Sequence, residues 1–303
     1  MPASPTRVTV AADDGVPLAA YVDGPADADL TVVCVHGHCQ DSACWDAVGE
    51  LISVPSVRTV RYDQRGHGRS GVGDVDAFTF DQLARDLDAV LRALVPTGPV
   101  VLVGYSMGGM VSLAYARLFP AAVGDRIVGA ALLSTAAGGL ADGGVGRYLR
   151  HPATTWLHRA VRRAPRIMER SKRAGGAVCT VLAGRRRDES WLRMLGMVLA
   201  NETSVVTWSR LFAAFAVLDE FAAVGALAPI PVVVAAGTDD RFVPITHSEA
   251  IAANLPRAEL IGIPGAGHRV LGEHAAEVAA ALDGLLLRVR SGVSAATGAV
   301  ITA

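Results

Sequence analysis

The stretch VVLVGYSMGGMVSLAYA, Val100–Ala116, constrains this chain more than any other. A continuous apolar run passes into G-x-S-x-G (Gly104, Ser106, Gly108) and then into a helical pattern. A strand that becomes a helix within so few residues must turn sharply, and a serine at the apex projects its hydroxyl above the strand end. Glycines two residues to either side let neighbouring backbone pass where a Cβ would clash. The helix N-terminus behind the turn offers unpaired N–H groups and a positive dipole end to a developing negative charge. The alternative is an incidental serine in a glycine-rich turn, which would need neither the strand nor the helix.

Similar apolar runs recur along the chain. Arg7–Val22 is patterned as a β-hairpin turning at Asp14-Gly15. LTVVCV (Leu30–Val35) is apolar throughout, as expected of a strand buried on both faces. VRTVRY, PVVLVG, RIVGAALLS, IPVVVAAG and AELIGIP are further strand candidates. Between them, TFDQLARDLDAVLRAL carries a helical face (Phe80, Leu83, Leu87, Val90, Leu91, Leu94) behind an N-cap at Thr79. EHAAEVAAALDGLLLRV is a final amphipathic helix. Strands alternating with helices predict an α/β fold with a mostly parallel sheet covered on both faces. The alternation breaks over residues 138–228, which are helical, arginine-rich and without a buried strand, and which read as an inserted lid. The core is then 1–137 and 229–290, and 291–303 is weakly patterned and reads as a mobile tail.

Half of the 303 residues are hydrophobic (51%), enough for a large core and too many for a disordered chain. The net charge of −1 carries no polyanion-binding signature. It is unevenly spread: Arg147–Arg193 holds 13 Lys/Arg against 3 Asp/Glu. The N-terminus lacks the apolar core of a signal peptide, and no run of eighteen apolar residues occurs. A cytoplasmic protein is expected, with Cys34, Cys39, Cys44 and Cys179 as free thiols.

A serine hydroxyl needs a base, and a base needs an orienting acid. His268 follows the last strand candidate, and GTDDRFVP places Asp239 and Asp240 after the strand ending at Gly237. Serine, acid and histidine thus all fall at carboxyl ends of strands, where open α/β sheets build sites. Among the other histidines, His274 suits a local contact at a helix start and His67 lies in a loop. His151, His158 and His247 have no matching partner in sequence.

On these residues the chain resembles the α/β-hydrolase superfamily, specifically its lid-bearing, esterase-like serine hydrolases. The matching segments are HGHCQDSACW, YDQRGHGRSG, GYSMGG, GTDDRFVP and GAGHRVLGEHAAEV, in family order from about Thr31 to Val278. The resemblance implies an eight-stranded α/β-hydrolase sheet, the chain order Ser–Asp–His, and no cofactor. It assigns the acid to Asp240, four residues before Pro244, and not to Asp239. It makes Ser106, Asp240 and His268 the catalytic residues. It also makes the backbone N–H groups of His38 and Met107 the oxyanion donors. Because these donors are main-chain, the His38 side chain is expected to matter little to turnover.

HGHCQDSAC does not fit a metal site. Gln40 stands where an H-x-H-x-D-H run needs its aspartate, and Asp41, one residue late, is followed by Ser42 and not by a histidine. His36 reads as structural, and Asp63, Arg65 and Ser70 as a polar network holding a sharp turn. The basic face of the lid, around Leu149, Trp156, Leu157, Ala160 and Val161, fits a solvated surface. An anionic substrate group or a membrane surface is a lesser alternative, and no nucleic-acid motif accompanies the charge. Met194, Met197, Leu199, Trp208, Phe212 and Phe215 suit lid core with some residues facing an acyl or aryl substrate. The expected activity is hydrolysis of small carboxylic esters through an acyl-enzyme. The alternatives are carbon–carbon bond hydrolysis of aromatic ring-cleavage products and a low-turnover receptor. Tyr105 stands where carbon–carbon hydrolases often carry asparagine.

Overall fold

A computed structural model describes residues 5–142, 152–185, 196 and 199–301. The strands are β1 (Thr6–Ala11), β2 (Pro17–Asp23), β3 (Leu30–Val35), β4 (Val57–Tyr62), β5 (Val100–Tyr105), β6 (Ile127–Leu133), β7 (Val232–Gly237) and β8 (Glu259–Ile263). They form one eight-stranded sheet in the order β1-β2-β4-β3-β5-β6-β7-β8. β1 and β2 make the antiparallel hairpin, turning through Gly15 at φ 82°, a left-handed conformation that glycine enters without a Cβ penalty. β2 also meets β4 antiparallel, and β4, β3, β5, β6, β7 and β8 run parallel.

β3, β5 and β7 are buried at every residue, because both sheet faces are covered. The period of two sorts β3 between two cores. Val33 and Val35 pack under α2 (Phe80–Leu94) and α3 (Met107–Leu118), while Val32 and Cys34 face α10 (Ala275–Ile301). Thr79 caps α2 by accepting the Gln82 N–H at 3.1 Å. Leu83 and Leu87 on its inner face are fully buried, each stabilising the fold by about 2 kcal/mol. α10 continues past residue 290 to Ile301, since no proline interrupts the pattern there.

Between β6 and β7 the chain leaves the sheet and forms α4 (Pro152–Arg163), α5 (Pro165–Arg185), α6 (Val205–Phe215) and α7 (Phe221–Val224). Among the described residues of this insertion the only β-pairing is a single bridge, Gly138 with Asp219. No described helix is long and apolar enough to cross a membrane.

β4 lies on one side of β3 and β5 on the other. The connections leaving the carboxyl ends of β3 and β5 therefore diverge, which opens a crevice at that edge of the sheet. The candidate site lies there.

Candidate active site

Ser106 occupies the turn between β5 and α3 with φ 53° and ψ −119°, a backbone conformation rare outside glycine. Close backbone approaches explain the glycines around it. A Cβ on Gly108 would lie 2.0 Å from the Val35 carbonyl oxygen, and one on Gly104 would lie 2.5 Å from the Gly108 oxygen. The turn is held from β6: Ser106 N–H donates to Leu133 O at 2.8 Å, and Thr135 Oγ1 donates to Ser106 O at 2.7 Å. Neighbouring β6 thus holds the strained turn in place, a role Thr135 did not reveal in sequence.

The structure brings Ser106, His268 and Asp240 into one line. His268 Nε2 lies 3.0 Å from Ser106 Oγ, and His268 Nδ1 lies 2.7 Å from Asp240 Oδ2. Asp240 Oδ1 accepts the N–H groups of Phe242 (2.8 Å) and Val243 (3.0 Å), so both carboxylate oxygens have partners although the side chain is fully buried. With Nδ1–H given to the carboxylate, Nε2 turns its lone pair towards the serine hydroxyl. Asp239 is exposed, and its carboxylate accepts from the hydroxyl of its neighbour Thr238 at 3.3 Å.

Gly237 lets these loops meet. A Cβ there would lie 2.2 Å from the Ala266 oxygen, the same carbonyl that accepts the Asp239 N–H. Tyr105 anchors the histidine loop by donating its hydroxyl to the His268 carbonyl at 2.7 Å. Its sequence signal was present: a tyrosine in a buried strand needs an acceptor for its hydroxyl.

His38 and Met107 stand at the ends of adjacent strands, with Val35 registered against Gly104. Met107 is the first residue of α3, so helix geometry provides no acceptor one turn back for its N–H. His36 is fully buried. Its Nδ1 donates to Gly37 O (2.7 Å), and its Nε2 accepts the Gln64 N–H (2.9 Å). Both ring nitrogens are thereby used, and burial holds the imidazole below its ordinary pKa. Among the described residues no group of three or more His, Cys, Asp or Glu is placed to hold a metal.

The loop after β4 is a buried polar scaffold. Asp63 accepts the N–H groups of Ser42 (2.8 Å) and Arg69 (2.9 Å), and Ser70 Oγ bonds the Asp63 carbonyl. Arg65, wholly buried, forms two 2.5 Å bonds with Asp86 and two longer ones with Asp14. Burial pushes the Asp86 carboxyl up, and the guanidinium holds Asp14 down. Burial also raises the Cys34 and Cys39 thiols to about 12, far from a reactive thiolate.

The insertion reaches the site through Phe215 of α6, whose ring stands 5.4 Å from His38 and 5.9 Å from Phe80. Phe212 stacks on Trp208 at 4.9 Å, and Leu199 is half-buried. Leu149, Met194 and Met197 lie outside the described residues. Part of the basic surface is paired: Arg210 and Arg162 face Asp76, and Arg173 meets Glu169. Buried Lys172 donates to the carbonyls of Asn201 and Thr203. Trp156 is exposed, His158 bonds Ser209 (3.1 Å), and His274 bonds Glu277 (3.0 Å).

Residues 31–275 match a family described as the alpha/beta hydrolase fold. Among solved structures, a thermophilic esterase from Thermogutta terrifontis superposes with a TM-score of 0.71 at 26% identity, over 94% of this chain and 99% of that one. A Variovorax paradoxus protein provisionally named a carbamate hydrolase, RutD, is 28% identical over 92% of this chain and 98% of its own length. The "Probable oxidoreductase EphD" of Mycobacterium tuberculosis is 40% identical over 105 residues, and that match spans 17% of its length. The chain belongs to the alpha/beta hydrolase fold family.

Proposed function

We propose that this chain is a serine hydrolase that cleaves carboxylic esters of small or medium apolar acyl or aryl substrates through an acyl-enzyme. The observation that carries this reading is the hydrogen-bonded line Ser106 Oγ–His268 Nε2, His268 Nδ1–Asp240 Oδ2 at the carboxyl edge of the sheet. Likeness to an esterase and a carbamate hydrolase supports the same class of acyl chemistry.

In this reading His268 Nε2 takes the proton of Ser106 as Oγ attacks the carbonyl carbon. Asp240 keeps the ring in the productive tautomer and stabilises the imidazolium. The N–H groups of His38 and Met107 bind the tetrahedral oxyanion, each donor accounting for about 10²–10³ in turnover. His268 then protonates the leaving alcohol. It next draws a proton from water as the water oxygen attacks the acyl carbon, and returns that proton to Ser106 Oγ when the intermediate collapses and the acid leaves. The insertion covers the site as a lid, with Phe215 facing the substrate.

A fluorophosphonate probe is expected to label the wild-type chain and to leave Ser106→Ala unlabelled. A panel of p-nitrophenyl esters of graded chain length is expected to show a clear optimum. Labelling with background rates across the panel would instead favour carbon–carbon bond hydrolysis or a receptor role.

A further inference from the structure

His67 and His38 form a short relay whose proton positions follow from their partners. His67 Nδ1 lies 3.0 Å from the Arg65 carbonyl, which can only accept, so Nδ1 carries the proton and Nε2 is a bare acceptor. His67 Nε2 lies 3.4 Å from His38 Nδ1. Two facing lone pairs would repel, so His38 Nδ1 is the donor and His38 Nε2 is left unprotonated. The Arg65 carbonyl is itself anchored, because its side chain is locked between Asp86 and Asp14. Burial pushes the His38 imidazole down to about 3, so the ring stays neutral at working pH.

His38 Nε2 is buried and has no hydrogen-bond partner among the described residues. Its ring sits between His67 and Phe215 of the insertion, on the residue whose N–H is the proposed oxyanion donor. A buried acceptor left unpaired is costly, and such atoms are normally satisfied by something that enters the site.

We propose that His38 Nε2 is a specificity-determining acceptor that takes a hydrogen bond from a hydroxyl of the substrate close to the scissile carbonyl. The proposal rests on the ester-hydrolase reading and narrows its substrate class to hydroxy-esters. A carboxylate or ether oxygen at the same place would set lone pair against lone pair. For hydroxy-esters the His38 side chain then contributes to turnover in addition to the main-chain N–H, contrary to the expectation that it matters little.

The test compares wild type with His38→Phe, which keeps a ring against Phe215 and removes the acceptor. Three pairs of probes cover both sides of the ester: phenyl butyrate with phenyl 2-hydroxybutyrate, phenyl butyrate with phenyl 3-hydroxybutyrate, and propyl butyrate with 2-hydroxyethyl butyrate. The hydroxyl preference in kcat/KM is expected to fall by about tenfold in His38→Phe for at least one pair, and the responding pair locates the hydroxyl. Intrinsic reactivity differences between the esters cancel in this ratio of ratios. Equal preferences in both proteins, with Ser106 labelled by fluorophosphonate in both, would overturn the proposal and leave the hydrolase reading standing. Absence of labelling and of turnover in wild type would overturn both. A separate measurement needs no variant: long-range ¹H–¹⁵N spectra of the wild-type protein are expected to show His38 Nε2 as a pyridine-type nitrogen. A protonated Nε2 there would overturn the proposal.

Discussion

Asp240 divides its carboxylate between two tasks: Oδ2 meets His268 Nδ1 at 2.7 Å, and Oδ1 takes the N–H groups of Phe242 and Val243. The backbone bonds hold the carboxylate independently of the histidine. Asp240→Asn can keep its oxygen on those two N–H groups, and its NH₂ then faces His268. The ring must then accept at Nδ1 and present a proton, in place of a lone pair, to Ser106. A loss of about 10⁴ in kcat with a near-native melting temperature is expected. A loss under tenfold would remove Asp240 from the proposed chemistry.

The glycines around the nucleophile make a steric prediction. Gly108→Ala sets a methyl 2.0 Å from a backbone oxygen that a packed β3 cannot withdraw. Destabilisation of roughly 3 kcal/mol or more, or failure to fold, is expected. Gly49→Ala, where an added Cβ meets nothing within 4 Å, serves as the control and should lie within about 0.5 kcal/mol of wild type. Urea denaturation of the two variants compares them directly.

Arg65 and Asp86 are both essentially excluded from solvent. Arg65→Met leaves the Asp86 carboxylate buried without its main partner and should cost about 3–5 kcal/mol. Replacing both, Arg65→Met with Asp86→Leu, should recover much of that loss, because no uncompensated charge remains. A double variant as unstable as the single one would show that the pair contributes beyond charge compensation.

Acid should destabilise the fold through its buried histidines, His36 and His67 among them. Burial holds both imidazoles below their ordinary value of 6.5, so the folded protein keeps them neutral where the unfolded chain takes up protons. The unfolded state therefore binds more protons below about pH 6.5, and stability falls as pH drops through that window. The slope is up to about 1.4 kcal/mol per pH unit for each histidine, levelling off below the folded pKa, with nothing lost above pH 7. Denaturation midpoints at pH 7.5 and 5.5 measure it. Equal midpoints would contradict two histidines buried in their neutral form.

Much of this architecture is written locally. Period-two and all-apolar runs mark each strand, Thr79 marks the start of α2, and the glycines at 104 and 108 mark a turn that no bulkier residue could make. The family resemblance assigns the acid to Asp240 and not to Asp239; in the fold Asp240 is buried and Asp239 is exposed. Local pattern is enough for the strands, the α2 cap and the turn because backbone conformation and burial periodicity are properties of neighbouring residues. What the sequence left open depends on residues far apart in the chain. That Tyr105 would hold the His268 carbonyl, that Thr135 would brace Ser106, and that Arg65 would set the proton positions of His67 and so of His38 could only be decided by packing. Hydrogen bonds and tautomers answer to whichever donor or acceptor lies within about 3 Å, and only the folded sheet chooses those neighbours.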